Sequence, residues 1–230
     1  GNAEAATIAV NAMSAFNLKA KDMAMINDVL AGAANASSAE ITDVALAMQQ
    51  AGTSFATAKQ PIKTMTTAIG LMANAGIKGS DAGTSLKTML ARLTPDTEKA
   101  STAMADLGLK AFNLDGTMKP LKQIISEVAP QLRKMTDEQR ITTLEAAFGS
   151  DAIRAATVVL GGGADAWETM EKAVTKSGQA QKVAEAKTKG FNGTVEAFKS
   201  QLETLAITIG PIGVKWLEQL ISAVRPAGEW

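Results

Sequence analysis

Residues 72–93, MANAGIKGSDAGTSLKTMLARL, decide how this chain folds. An apolar helix ends at Gly76, a glycine-punctuated turn with Lys78, Gly79 and Ser80 follows, and a second helix opens near Asp81 carrying Leu86, Met89, Leu90 and Leu93. Gly76 stands where a left-handed residue closes a helix, and Ser80 or Asp81 is placed to cap the first amides of the next one. Gly83 lies one turn into that helix, where glycine costs about 1 kcal/mol against alanine, so it marks a close approach of another backbone. The stretch reads as a tight helix-turn-helix corner built for packing.

Outward from the corner the texture stays helical. Ile8, Val10, Met13, Phe16, Leu18, Met23, Ile26 and Leu30 recur at an approximate helical period among alanines. After a loop at 35–38, whose serines suit a cap, Ile41, Val44, Ala45 and Met48 repeat the spacing until Gly52. Pro61 opens the helix with Ile62, Met65, Ile69 and Met72 on one face, which leads into the corner. LAMQQAGTS at Leu46 echoes GLMANAGIKGS at Gly70, which either duplication or shared composition explains.

Beyond the corner, Thr94-Pro95-Asp96 reads as a helix start with the helix ending at Gly108. Residues 109–119, with an Asp115-Gly116 step between Phe112 and Met118, predict one small β-hairpin leaning on the helix of Leu121, Ile124, Ile125 and Val128. Pro130 kinks that helix or ends it. A capping box at Thr136–Gln139 starts a helix closed by Gly149, Ser150 starts another that runs into Gly161-Gly162-Gly163, and Trp167, Met170 and Val174 form a final stripe. The fold expected is mainly α: a compact domain of short capped helices with that single hairpin, followed by a longer amphipathic C-terminal helix. The chain divides into alanine-rich helices over 1–60, a core over 61–178 and a C-terminal segment over 179–230. In the last, Val195, Phe198, Leu202, Leu205, Ile209, Ile212 and Trp216 alternate at spacings of three and four. Such a seam serves either as an amphipathic face docking on the same chain or as a coiled coil between parallel copies, and Gly210-Pro211 interrupts both.

Composition narrows the chemistry. With 23 basic and 23 acidic residues in 230, no global field draws in nucleic acid or an anionic membrane, and sequence-specific nucleic-acid binding is not expected. Cysteine, histidine and tyrosine are all absent, which removes thiolate chemistry and the commonest general base and metal ligand. No cofactor or metal is expected, and no enzyme. Only 4% of residues are aromatic while 11 are methionine, so the core is thin and adaptable. No window reaches the roughly 20 apolar residues that span a bilayer, and the first residues lack the pattern of a signal peptide. A start at Gly1 without methionine suggests a segment of a longer protein.

The remaining motifs have plain readings. Gly76-Ile77-Lys78-Gly79-Ser80 misses the phosphate-binding loop, because glycine separates the lysine from the hydroxyl and a helix precedes. Asp137 with Glu138 and Glu168 with Glu171 have the residue types of a glycosidase pair, but each lies in the early part of a helix, where acids favour the macrodipole. Arg92, Arg133, Arg140 and Arg154 have no interleaved aromatics for base stacking and read as solvated or paired charges.

Three blocks taken together carry a resemblance. The corner, LGLKAFNLDGTMKPLKQII from Leu107 and TDEQRITTLEAAFGSDAI from Thr136, in that order and spacing, resemble the shared core of the tail tape measure proteins of long-tailed bacteriophages. The resemblance covers about residues 44–198, and Gly210, Pro211 and Gly213 depart from the pattern. It implies a structural component inside the tail tube or tip that templates tail assembly, sets tail length and leaves during genome ejection. It also implies self-association as a trimer through the 195–216 seam, contacts with tail tube and distal tail or tip proteins and with tail assembly chaperones, and a place in the virion after assembly in the host cytoplasm. The other reading is a membrane-active or cell-wall-penetrating module at DNA entry, meeting the host membrane through the C-terminal stretch with Trp216 and Trp230.

Overall fold

A computed structural model describes residues 12, 14–176 and 178. After a 3-10 turn at Ala20–Asp22 come eight α-helices among the described residues: α1 Met23–Ala36, α2 Ile41–Thr57, α3 Ile62–Asn74, α4 Gly79–Arg92, α5 Glu98–Asp106, α6 Leu121–Lys134, α7 Asp137–Val159 and α8 Gly163–Val174. The periodic apolar positions face inward as their spacing requires. Val44, Ala47, Met48, Ala51 and Phe55 bury one side of α2, and Leu121, Ile124, Ile125, Val128 and Leu132 one side of α6.

These faces meet in one contiguous core. α2 packs on α4, α4 and α5 pack on α7, and α8 lies against α1, α3 and α6. Met65, Met72 and Met89 are fully buried among alanine, leucine and isoleucine, with Phe55, Phe148 and Trp167 as the bulky fillers. A core of this kind joins helices closely because its side chains are short. At Gly32 an added Cβ would collide with the carbonyl oxygen of Val174, so α1 and the end of α8 meet backbone to backbone.

Several expectations need correction. Residues 109–119 form no β-hairpin: a single isolated antiparallel bridge joins Phe112 to Met118, with no strand among the described residues. Two backbone bonds, Asn113 N to Thr117 O and Lys119 N to Ala111 O, each 2.8 Å, are all the pairing the segment makes. Pro120 then stops the second arm, since it has no N–H to extend a ladder. What holds the loop instead is side-chain bonding, in which Thr117 N and Oγ1 donate to Asp115 Oδ1 at 2.9 and 2.6 Å.

The helix expected at Thr94-Pro95 starts later, at Glu98, because Thr97 accepts from Ala100 N at 3.1 Å while Asp96 is taken by the Arg92 guanidinium at 2.5 Å. α2 runs through Gly52 to Thr57. Pro130 lies inside α6, which continues to Lys134. The break at Gly149 is a kink within α7, with φ +73 and ψ 173. Thr136 and Gln139 do form the reciprocal capping box, at 3.2 and 3.0 Å. The expected C-terminal helix and the seam residues Val195, Phe198, Leu202, Leu205, Ile209, Ile212 and Trp216 lie outside the described residues.

Candidate functional site

The corner at 76–83 is built first by backbone chemistry. Gly76, at φ +84, sends its N–H to Ala73 O and Ile77 sends its own to Met72 O, both at 2.9 Å. This is the Schellman arrangement, and it satisfies two of the four carbonyls a helix end leaves open. Ser38 satisfies Ala73 O a second time, its Oγ donating at 2.6 Å, while Ser38 N donates to Asn74 Oδ1 at 2.9 Å. Lys78 closes the loop by donating from Nζ to Ser38 O. The lysine is thus spent on a carbonyl of the preceding loop.

Where α4 begins, the sequence reading and the structure part. Lys78 is the N-cap residue, without a side-chain cap bond, and neither Ser80 nor Asp81 caps the helix. Ser80 is exposed. Asp81 faces α7 and takes Arg154 in a bidentate pair, Nη1 to Oδ2 at 2.9 Å and Nη2 to Oδ1 at 2.8 Å. That hydrogen bonding holds the Asp81 carboxyl below its ordinary value and the Arg154 guanidinium above its own.

Gly79 and Gly83 form the face of α4 that meets α2. Gly79, at φ +57, is buried 3.5 to 4.0 Å from Asp43 and Leu46, measured from where a Cβ would stand. One turn on, a Cβ at Gly83 would overlap the carbonyl oxygen of Ala47 and fall 2.8 Å from Ala47 Cα and Gln50 Cβ. Neighbours therefore advance along both helices together, so α2 and α4 run parallel with their backbones in contact. Ser85 ties the next turn to α7: its buried hydroxyl donates to Asp151 O at 3.0 Å and accepts from Ala155 N at 3.2 Å, beside the Gly149 kink.

Two anchors escaped the sequence reading. Ser85 carries no signal, being one serine among several on an amphipathic helix. Gln60 is 3% exposed and donates from Nε2 to Lys119 O at 3.1 Å and Ala58 O at 3.2 Å, while Leu121 N donates to its Oε1 at 2.9 Å. It fastens the start of α6 to the α2–α3 turn. A polar residue directly before Pro61 is the one hint, since that position favours extended backbone and hence a turn.

Three of the four carboxylates considered for acid/base chemistry are engaged as ion pairs. Asp137 pairs with Arg140, Glu168 with Lys172 at 2.7 Å, and Glu171 with Lys122 at 3.4 Å. Lys172 holds the Glu168 carboxyl below its usual range, the reverse of what a general acid needs. Among the described residues no group of acidic side chains is placed to hold a metal ion, and no helix is long and apolar enough to cross a membrane.

A corner made of backbone contacts and helix packing is a scaffold, and comparison with known proteins says whose. The family described as phage-related minor tail protein matches residues 1–149. The chain belongs to that family. It is similar to the tape measure protein of Pneumococcus phage Dp-1, 28% identical over 215 residues that make up 93% of this chain and 19% of that protein. It is also similar to the probable tape measure protein of Escherichia phage P2, 30% identical over 159 residues, 68% of this chain and 20% of the relative. The resemblance read from the three sequence blocks is borne out. The chain spans about one fifth of the length of either relative, and no solved structure matches it.

Proposed function

We propose that this chain is a segment of a tape measure protein that works as a structural component inside the tail tube or tip, templating tail assembly, setting tail length and leaving during genome ejection. The observation that carries the reading is the alignment of 93% of the chain with a tape measure protein. The physical character of the domain agrees with it. The buried functional-looking groups are spent on holding helices together, and the core of methionine and alanine gives up less apolar area on opening than an aromatic core of equal length. Partners consistent with this role are tail tube and tip proteins, tail assembly chaperones and further copies of the chain, with a trimer joined through the 195–216 seam.

In-frame removal of residues 23–174 from the phage gene that encodes the chain tests the role. Electron micrographs of lysates should show tails that are absent or altered in length. Infectious particles with tails of the parental length would refute it.

A further inference from the structure

Asp115-Gly116 is the one Asp-Gly step in the chain, and residues 113–116 around it are all exposed. A Cβ on Gly116 would meet nothing within 4 Å, so neither a side chain nor a neighbouring element shields the amide nitrogen that follows the carboxyl. A carboxyl next to so bare an amide can close on it. The Gly116 nitrogen attacks Cγ of the acid form of Asp115, the N–H proton and the carboxyl hydroxyl leave together as one water, and a five-membered succinimide results. Water then opens the ring, at Cγ to restore aspartate or at the backbone carbonyl carbon to give isoaspartate, in which the main chain runs through the side chain. The water lost in the first step returns in the second, and no cofactor or second substrate is needed.

The folded loop occupies both reacting groups. Gly116 N donates to Asn113 O at 3.0 Å, which holds the proton that has to leave. Asp115 Oδ1 accepts from Thr117 N at 2.9 Å and from Thr117 Oγ1 at 2.6 Å, and Asn113 Nδ2 in turn donates to that hydroxyl at 3.0 Å. The Thr117 bonds, the hydroxyl's first, hold the Asp115 carboxyl below its ordinary range and therefore ionised, the form that resists attack. At the far end of the loop Gln60 Nε2 pins Lys119 O at 3.1 Å.

We propose that Asp115 is a modification site, an intramolecular isomerisation to isoaspartate that the closed loop suppresses and that local opening of the loop releases. Such opening needs only the loop's own few hydrogen bonds to break, without loss of the core. The product cannot close again as before. Isoaspartate adds one main-chain atom between Asn113 and Thr117, which throws the Asn113 N to Thr117 O bond out of register. Each modified chain thus keeps a permanent mark of having opened at this loop. The inference does not rest on the proposed tail role, nor on the seam at 195–216.

The full-length chain, aged at neutral pH in buffer and in concentrated guanidinium chloride, is digested with trypsin, and isoaspartate at 115 is read by chromatography and electron-transfer fragmentation of the peptide 111–122. The Asn192-Gly193 step, which reacts through the same kind of ring, falls in another tryptic peptide, 190–199, and does not confuse the reading. Isoaspartate at 115 should accumulate at least fivefold more slowly in buffer than in denaturant. Thr117→Val keeps the backbone bond to Oδ1 and removes the hydroxyl, while Asn113→Ala frees that hydroxyl without touching Asp115. Each should raise the rate in buffer at least threefold and leave the rate in denaturant unchanged. A smaller difference between buffer and denaturant, or a rate in buffer that neither variant raises, overturns the proposal.

Discussion

The corner at 76–83 and the loop at 109–119 read alike in sequence, each a glycine-punctuated turn with a lysine and a hydroxyl residue nearby, yet they are held by different forces. In the corner, backbone bonds close α3 and α4 then rests directly on the α2 backbone at Ala47. In the loop, Asp115, Thr117 and Asn113 bond among themselves, and a Cβ on Gly116 would meet nothing within 4 Å. A glycine in a turn signal therefore marks two different things, a left-handed backbone or a missing side chain that lets another element in. Only the second makes the position intolerant of added volume.

The sharpest way to break this distinction is to add atoms at both places. Gly83→Val forces the α2–α4 contact apart and should destabilise the domain by about 3 kcal/mol or more. Gly116→Ala, at φ +80 with open space around it, should cost about 1 kcal/mol from backbone strain alone. Urea unfolding of the two variants decides the matter; comparable losses would mean that α2 can shift and that the corner is no more constrained than the loop.

The next effect in size tests how the loop joins the core. Gln60→Ala removes the amide that bonds both Lys119 O and Leu121 N, leaving buried backbone groups without partners, and should cost about 2 kcal/mol. Hydrogen exchange would locate the damage: the amide of Leu121 should lose protection while that of Ile77, inside the corner, keeps its own relative to global opening. If both amides change together, the loop and the corner open as a single unit.

What the sequence made legible follows the range of the forces involved. Local signals were read well: the Thr136–Gln139 box, the end of α3 at Gly76 and the break at Gly149 all depend on residues within about one helical turn and a half of one another. The hairpin at 109–119 failed because an Asp-Gly step announces a turn, whereas a ladder needs several paired residues on each side and Pro120 removes them. At Thr94-Pro95-Asp96 a good cap pattern lost to a better oxygen at Thr97 and to Arg92, which claimed Asp96. The bonds of Gln60 and Ser85 and the Asp81–Arg154 pair join residues 59 to 73 positions apart, and no pattern in a single sequence pairs them. For Asp81 the sequence offered a local use, capping, and the fold chose a distant one.

That choice also predicts the smallest effect, in its dependence on pH. Arg154 lowers the folded-state pKa of Asp81 beneath its ordinary value of 3.8, first through the bidentate hydrogen bond and then through charge. Because the folded state binds this proton less readily than the unfolded chain, the pair contributes stability that is fully present above the unfolded pKa and is lost as pH falls from about 4 through the lower folded value. Both side chains are largely exposed, so solvent screens the interaction and the contribution is small. Asp81→Asn should therefore unfold almost as readily as the parent chain at pH 3, and show a modest deficit at pH 6 that shrinks in high salt. A deficit of equal size at both pH values would assign Asp81 to helix-start geometry instead of to Arg154, and would move the residue back into the locally built half of the corner.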